Sequence, residues 1–356
     1  MKRIFSFAKP SQALPTPLTI VVSIAVTIAL PLFGLPVPAV ALDLQREDVQ
    51  SFVDEIVSEH GLDRDYVSGV LADSKTQQSI LDAMSRPAER VKPWHEYRAI
   101  FLTSKRIAAG VEFYGQHREQ LEKIEAETGV PPEMILGIVG VESFFGRITG
   151  RHRVVDALST LGFDYPPRAK FFRSELQHAF LLAREEGLDL QTLVGSYAGA
   201  MGPPQFIPSS YRAYAVDGDG DGQRDLIGNW NDVLASVGNY FAAHKWKAGE
   251  PVAAAATLSE RADEPMLQTK LKPGSNVGKL SEAGVLFATE LNDDSTAGLW
   301  RLEGESGNEH WVGFHNLYVI TRYNRSVMYA LATWQLGNEI MQAASLKESD
   351  APENES

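Results

Sequence analysis

The stretch Pro131-Pro132-Glu133-Met134-Ile135-Leu136-Gly137-Ile138-Val139-Gly140-Val141-Glu142-Ser143-Phe144-Phe145-Gly146 sets one carboxylic acid, Glu142, into sequence that carries no other charge from Met134 onward. The two prolines suit the first turn of a helix, and Gly129 suits the end of the helix before it. A helix running through the stretch puts Ile138, Val139, Phe145 and Gly146 at the i±3 and i±4 positions around Glu142. All four are apolar. A carboxyl group in that setting is expected to stay protonated near neutral pH and to serve as a general acid. The competing reading is a glutamate at the edge of a core helix that points into water, as most glutamates do.

The chain ends indicate where the protein works. Lys2, Arg3 and Lys9 precede the apolar segment Leu18 to Leu30, and Ala39-Val40-Ala41 supplies the small-residue pattern of a signal-peptidase site. Residues 1–41 therefore read as an export signal, with Leu42 as the first mature residue. The alternative is an uncleaved inner-membrane anchor, against which Pro31, Pro36 and Pro38 argue. There are no cysteines, which excludes disulfides, thiol catalysis, cysteine metal sites and a lipid-modified cysteine. A mature chain of about 315 residues is long enough to fold on its core alone.

Removing Lys2, Arg3 and Lys9 takes the formal charge from −13 to −16, since no acidic residue precedes Leu42. Within this acidic chain lies a basic island: Arg147, Arg151, His152, Arg153, Arg168, Lys170 and Arg173, against only Asp156 and Asp164. It points to a local site for an anionic ligand and not to a nucleic-acid surface, which needs a basic domain. Helical patterns cover Val49 to Glu59, Ile107 to Thr128, Gln177 to Leu193, Asp232 to Trp246 and Arg325 to Ala344. Short alternating runs at Val285 to Leu291, Leu299 to Leu302 and Trp311 to Phe314, separated by Gly, Asn, Asp and Ser, predict a small β-rich module. The expected class is mainly α, with some β (α+β).

Three further stretches carry chemistry. Asp217-Gly218-Asp219-Gly220-Asp221-Gly222-Gln223-Arg224-Asp225 has oxygen donors at positions 1, 3, 5 and 9 and glycine at 6, the pattern of an EF-hand calcium loop. Position 12 is Gly228 where a bidentate glutamate is expected. Asp232 is the nearest carboxylate able to close a longer loop. The segment from Gly195 to Pro208, GSYAGAMGPPQFIP, is a rigid Gly- and Pro-rich turn suited to holding one amide, Gln205, toward a ligand. Tyr323-Asn324-Arg325-Ser326-Val327-Met328-Tyr329 places two tyrosines and an amide at a helix start, a grouping that suits sugar rings.

Together these stretches resemble the lytic murein transglycosylase B family, the periplasmic enzymes that cleave the glycan of peptidoglycan. The likeness runs from Trp94-His95-Glu96-Tyr97-Arg98 through VESFFG, GSYAGAMGPPQFIPSSYRAYAVD and NDVLASVGNYFAAHKW to YNRSVMYA. It implies a flanking helical domain (42–105), a lysozyme-like helical core (106–249 and 316–345), a β-rich insertion (250–315) and a disordered acidic tail (346–356). By the resemblance Glu142 is the sole catalytic acid and base. Ser196, Gln205, Tyr240, Tyr323, Asn324, Tyr329 and Tyr97 line the glycan cleft, and Asp217, Asp219, Asp221, the carbonyl of Gln223, and Asp232 bind calcium. The family often carries paired arginines after a Tyr-Pro, whereas Tyr165-Pro166-Pro167-Arg168 keeps only Arg168 for the peptide stems. Cell-wall synthesis or division proteins are the expected protein partners. An ordinary glycosidase needs a second carboxylate, for which Asp156 and Asp164 are the candidates, so a lysozyme-type hydrolase stays open. A non-catalytic, calcium-stabilised wall-binding scaffold is the other alternative.

Overall fold

Helix Pro132–Ser143 is buried at every position but Glu133, with helices Ser104–Thr128, Trp230–Ala243 and Val327–Ser349 packed against it. The computed structural model describes residues 40–85, 92–260 and 266–349. All but Val40 and Ala41 of the expected export signal lies outside these residues, as do positions 350–356. In chain order a short strand β1 (Val40–Ala41) leads to α1 (Glu47–His60), α2 (Arg64–Asp73), β2 (Lys75–Thr76), α3 (Gln78–Met84) and α4 (Trp94–Phe101). The central part holds α5 (Ser104–Thr128), α6 (Pro132–Ser143), β3 (His152–Arg153), α7 (Val154–Asp164), α8 (Ala169–Glu186), β4 (Val194–Gly195), α9 (Pro208–Tyr214) and α10 (Trp230–Ala243). Strand β5 (Ala253–Leu258), β6 (Ser275–Asn276), α11 (Val277–Glu282), β7 (Val285–Leu286), β8 (Thr296–Gly304) and β9 (Gly307–Phe314) precede α12 (His315–Ile320) and α13 (Val327–Ser349).

Two glycines let α13 lie directly on α6. A Cβ on Gly337 would meet the Glu133 carbonyl oxygen at 1.9 Å, and one on Gly137 would meet the Thr333 carbonyl oxygen at 2.3 Å. Only the bare backbone fits at either point. This close crossing brings the start of α13 alongside the C-terminal end of α6. The β-rich module is a five-stranded antiparallel sheet in the order β6-β8-β9-β5-β7, with its own small core of Val277, Leu280, Val285, Ala297, Leu299, Val312 and Phe314.

Several boundaries differ from those expected. The helix holding Glu142 stops at Ser143, because Phe144 and Phe145 both take left-handed backbone angles, φ 51° and 55°. The helix expected over Gln177 to Leu193 ends at Glu186, where Gly187 adopts φ 68° and caps it. That expected to reach Trp246 starts at Trp230 and ends at Ala243. Strand β5 went unforeseen, since Ala253-Ala254-Ala255-Ala256 has little β-propensity and is held by pairing with β9. Of Val285 to Leu291 only two residues are strand. At the C-terminus α13 runs to Ser349, so the first four residues of the expected tail are helical.

Candidate active site

Glu142 sits in the last turn of α6, 7 % exposed. The turn that follows is fixed by its own hydrogen bonds: Phe145 N–H donates to the Val139 carbonyl at 3.0 Å, Ile148 N–H to the Ser143 carbonyl at 2.8 Å, and Gly146 N–H to Ser143 Oγ at 2.9 Å. Two consecutive non-glycine residues in the left-handed region cost about 1–2 kcal/mol each. Strain of this kind concentrates where a side chain must be aimed.

Tyr329, near the start of α13, donates its hydroxyl to Glu142 Oε1 at 2.5 Å. Burial first, and then the charge of Glu142, push the hydroxyls of Tyr329 and Tyr323 well above the usual tyrosine range. Both therefore remain protonated donors. Tyr323 donates to the Pro204 carbonyl at 2.6 Å, which ties the α12–α13 connection to the Gly- and Pro-rich turn. Tyr240, on α10, donates to the Arg322 carbonyl at 2.6 Å, and its ring packs among Phe206, Tyr214, His244 and Tyr323. Asn324 is buried, and its carbonyl accepts from Ser326 N–H at 2.8 Å. Tyr97, on α4, is 2 % exposed, packs its ring at a tilt against Phe101 and contributes to the field at Tyr329.

The turn after β4 holds the other two expected residues. Met201 bridges both Gly195 and Phe206, pinning the turn in place. Ser196 Oγ accepts from the N–H groups of Ala198 and Ala200 at 3.3 and 3.1 Å, which leaves its hydroxyl proton to donate. Gln205 has φ 52°, and its amide nitrogen donates to the carbonyls of Thr149 and Gly202 at 3.0 and 2.8 Å. What Gln205 can offer a ligand is therefore its carbonyl oxygen.

The two candidates for a second carboxylate have other tasks. Asp156 is gripped by Arg153 and accepts from Lys75 N–H at 2.9 Å, while Asp164 pairs with Arg46 at 2.6 Å. Both join the segments around α1 to α3 to α7. The basic island is likewise partly structural: Arg153 pairs with Asp156, and Arg173 donates to the Gly162 carbonyl. Arg168 differs. Its guanidinium lies 4.4 and 5.0 Å from the rings of Phe171 and Phe172, with Nε and Nη2 buried and without a hydrogen-bond partner.

Asp217, Asp219 and Asp221 bring one carboxylate oxygen each within 4.8 Å of one another. Asp217 accepts from Gly220 and Gly222 N–H, and Asp219 from the side-chain amides of Asn229 and Asn231 at 2.9 and 3.2 Å. Those bonds, Asn229 foremost, hold the Asp219 carboxyl below its usual range. Three mutually close carboxylates of this kind fit a hard, oxygen-seeking cation. Asp232 is not one of the three, but it feels the charges of Asp219 and Asp217 and accepts from Gly218 and Asp225 N–H at 2.7 Å each, so it ties the two ends of the loop together. Gln223 enters through its N–H, which donates to Asp221 at 2.8 Å.

Glu175 escaped the sequence reading. It is 3 % exposed on α8 and accepts from both N–H and Oγ of Ser209 at the start of α9, and burial pushes its carboxyl up to about 7. The available signal was the one that exposed Glu142: Phe172, Leu176 and Ala179 put it on an apolar helix stripe.

Residues 44–338 match the family described as the Transglycosylase SLT domain. The chain is 41 % identical over 304 residues to the membrane-bound lytic murein transglycosylase B of Escherichia coli (strain K12), covering 82 % of each protein. Among solved structures it is similar to the soluble lytic transglycosylase SltB1 of Pseudomonas aeruginosa, with TM-score 0.79 and 50 % identity over 83 % of this chain and 98 % of that one. It is also similar to the Escherichia coli lytic transglycosylase Slt35 in complex with calcium, with TM-score 0.78 and 40 % identity over 86 % of this chain and 97 % of that one. No helix among the described residues is long and apolar enough to cross a membrane.

Proposed function

The chain belongs to the Transglycosylase SLT domain family and is a peptidoglycan lytic transglycosylase, and from that premise we propose that Glu142 alone serves as acid and then as base. The observation that carries this reading is the buried Glu142–Tyr329 pair at 2.5 Å, with Asp156 and Asp164 engaged by arginines elsewhere. Glu142 gives its proton to the oxygen joining N-acetylmuramic acid to N-acetylglucosamine, and the bond from that oxygen to the muramyl anomeric carbon breaks. The muramyl acetamido group stabilises the cation that develops. The carboxylate left behind accepts a hydrogen bond from Tyr329, which favours its charged form. It then takes the proton of the muramyl 6-hydroxyl as that oxygen bonds to the anomeric carbon. The product is a 1,6-anhydromuramyl end, no water is consumed, and Glu142 is protonated again.

Ser196, Gln205, Tyr97, Tyr240, Tyr323, Asn324 and Tyr329 are assigned to the cleft around this centre, and Arg168 to a carboxylate of the peptide stem. A calcium ion is assigned to Asp217, Asp219 and Asp221, with the Gln223 carbonyl and Asp232 completing the loop in the manner of an EF-hand. Its contribution there is to neutralise clustered charge, not to take part in cleavage. The signal-like start of the sequence supports work in the periplasm. Glu142→Gln keeps the shape of the side chain and removes the transferable proton. Binding to isolated sacculi should persist while turnover falls by at least about 10²-fold. Loss of binding would make Glu142 a structural residue and overturn the reading.

A further inference from the structure

Lys105, Arg106 and Arg147 converge on one aromatic ring. Their charged groups lie 6.0, 4.9 and 5.0 Å from the centre of Phe144, two residues after Glu142. The grouping opposes the net charge of −13, and little within the protein offsets it. Lys105 and Arg106 form no ion pair among the described residues, and Arg147 meets only the exposed Glu112, at 4.0 Å. Arg106 is the least expected member, being 7 % exposed. Its Nη1 donates to the Ile100 carbonyl at 2.9 Å, but its buried Nε has no partner.

The backbone adds to the imbalance. Lys105 and Arg106 occupy the first turn of α5, which holds no acidic residue. A helix N-terminus carries partial positive charge and ordinarily attracts carboxylates. A buried guanidinium without a counter-charge is unfavourable in a folded protein by itself, and an anion arriving from outside would relieve it. The position suits the substrate. Arg106 also lies 5.3 Å from the ring of Phe101, which packs at 5.3 Å on Tyr97, so the cluster adjoins the cleft from the side of α4 and α5.

We propose that Lys105, Arg106 and Arg147 form an anionic subsite that receives a carboxylate of the substrate's peptide stem and sets a preference for stem-bearing over naked glycan. The inference rests on the cleft assigned above and adds residues to it. Lys105 and Arg147 are exposed, so the double variant Lys105→Glu/Arg147→Glu should fold, which a melting curve verifies. The measurement is kcat/KM on isolated glycan strands before and after enzymatic removal of the stems. The preference for stem-bearing strands should fall by about tenfold at low salt, the scale of two partly exposed charge contacts. The difference should fade as salt shortens the screening length. Lys105→Ala/Arg147→Ala should give a smaller loss of the same sign. An equal loss on both kinds of strand, or none, would overturn the proposal. So would competition by inorganic phosphate that depends on the cluster while the stem preference stays intact, since the anion would then be a phosphate. Failure of the cleavage mechanism would show separately, as turnover by Glu142→Gln on either strand, and would leave the preference ratio measurable in the wild type.

Discussion

Tyr329→Phe removes one oxygen atom from the centre of the proposed reaction and nothing else. The ring is 2 % exposed and packed in the core, so phenylalanine keeps its contacts. What is lost is the 2.5 Å hydrogen bond to Glu142 Oε1. Bonds from a neutral donor to a charged group contribute about 1.5–3 kcal/mol. This one strengthens as Glu142 gives up its proton, so most of its contribution is made on the way to the transition state. At about 1.4 kcal/mol per tenfold, kcat should fall by roughly 10- to 150-fold, with little change in KM. Because the Tyr329 hydroxyl stays protonated far above neutrality, the loss should hold across the neutral range. The assay is release of soluble muropeptides from sacculi at saturation, with a melting curve to confirm the fold. A kcat within about twofold of wild type, or a loss confined to KM, would refute the assignment of this bond to the chemistry.

Calcium should raise the melting temperature of the wild type, following RT ln(1 + [L]/Kd) with Kd of about 0.1–1 mM if the loop behaves as an extracellular module. Asp219→Ala should lose that gain, and an unchanged melting curve with calcium or chelator would remove the cation from the account. Glu175 ionises in the unfolded chain near 4.5 but in the fold at about 7. The native state therefore binds its proton more tightly, and the cost of ionising it appears from about pH 4.5 and is complete above 7, at about 3 kcal/mol on the order-of-magnitude scale. Glu175→Gln should lack this fall in stability between pH 5 and 8, which chemical denaturation at the two pH values would measure. Gly337→Ala forces α13 away from the Glu133 carbonyl and should destabilise by at least about 1–3 kcal/mol, with activity falling too as Tyr329 moves off Glu142.

The sequence announced the elements that depend on local pattern and on a single dominant environment. Glu142 stood out because its i±3 and i±4 neighbours Ile138, Val139, Phe145 and Gly146 are all apolar, and the acidic loop because its donors alternate with glycine. The helix end at Ser143 was not legible. Phe144 and Phe145 are poor candidates for left-handed angles by residue type, and the bonds that close the turn, from Phe145, Gly146 and Ile148 N–H back to Val139 and Ser143, form only once those angles are adopted. Strand β5 was invisible for a similar reason: a run of alanines pairs with β9 because of where the chain places it, not because of what it is. Among the site residues, that Gln205 directs its amide nitrogen into the scaffold follows from the carbonyls of Thr149 and Gly202, which lie at different points of the chain. The basic island misled in part, since Arg153 and Arg173 are held by Asp156 and Gly162. The cationic cluster at Phe144 instead draws two of its three members from α5, far away in sequence.

The central claim is that one carboxyl group completes the cleavage without water. Digestion of sacculi in water enriched with heavy oxygen, followed by mass spectrometry of the new muramyl ends, tests it most directly. The account predicts ends that carry no heavy oxygen and are lighter by one water than lysozyme products, because the attacking oxygen is the sugar's own 6-hydroxyl. Heavy oxygen at the anomeric carbon would contradict it: the enzyme would then be a hydrolase, and Glu142 would need a second carboxylate as partner.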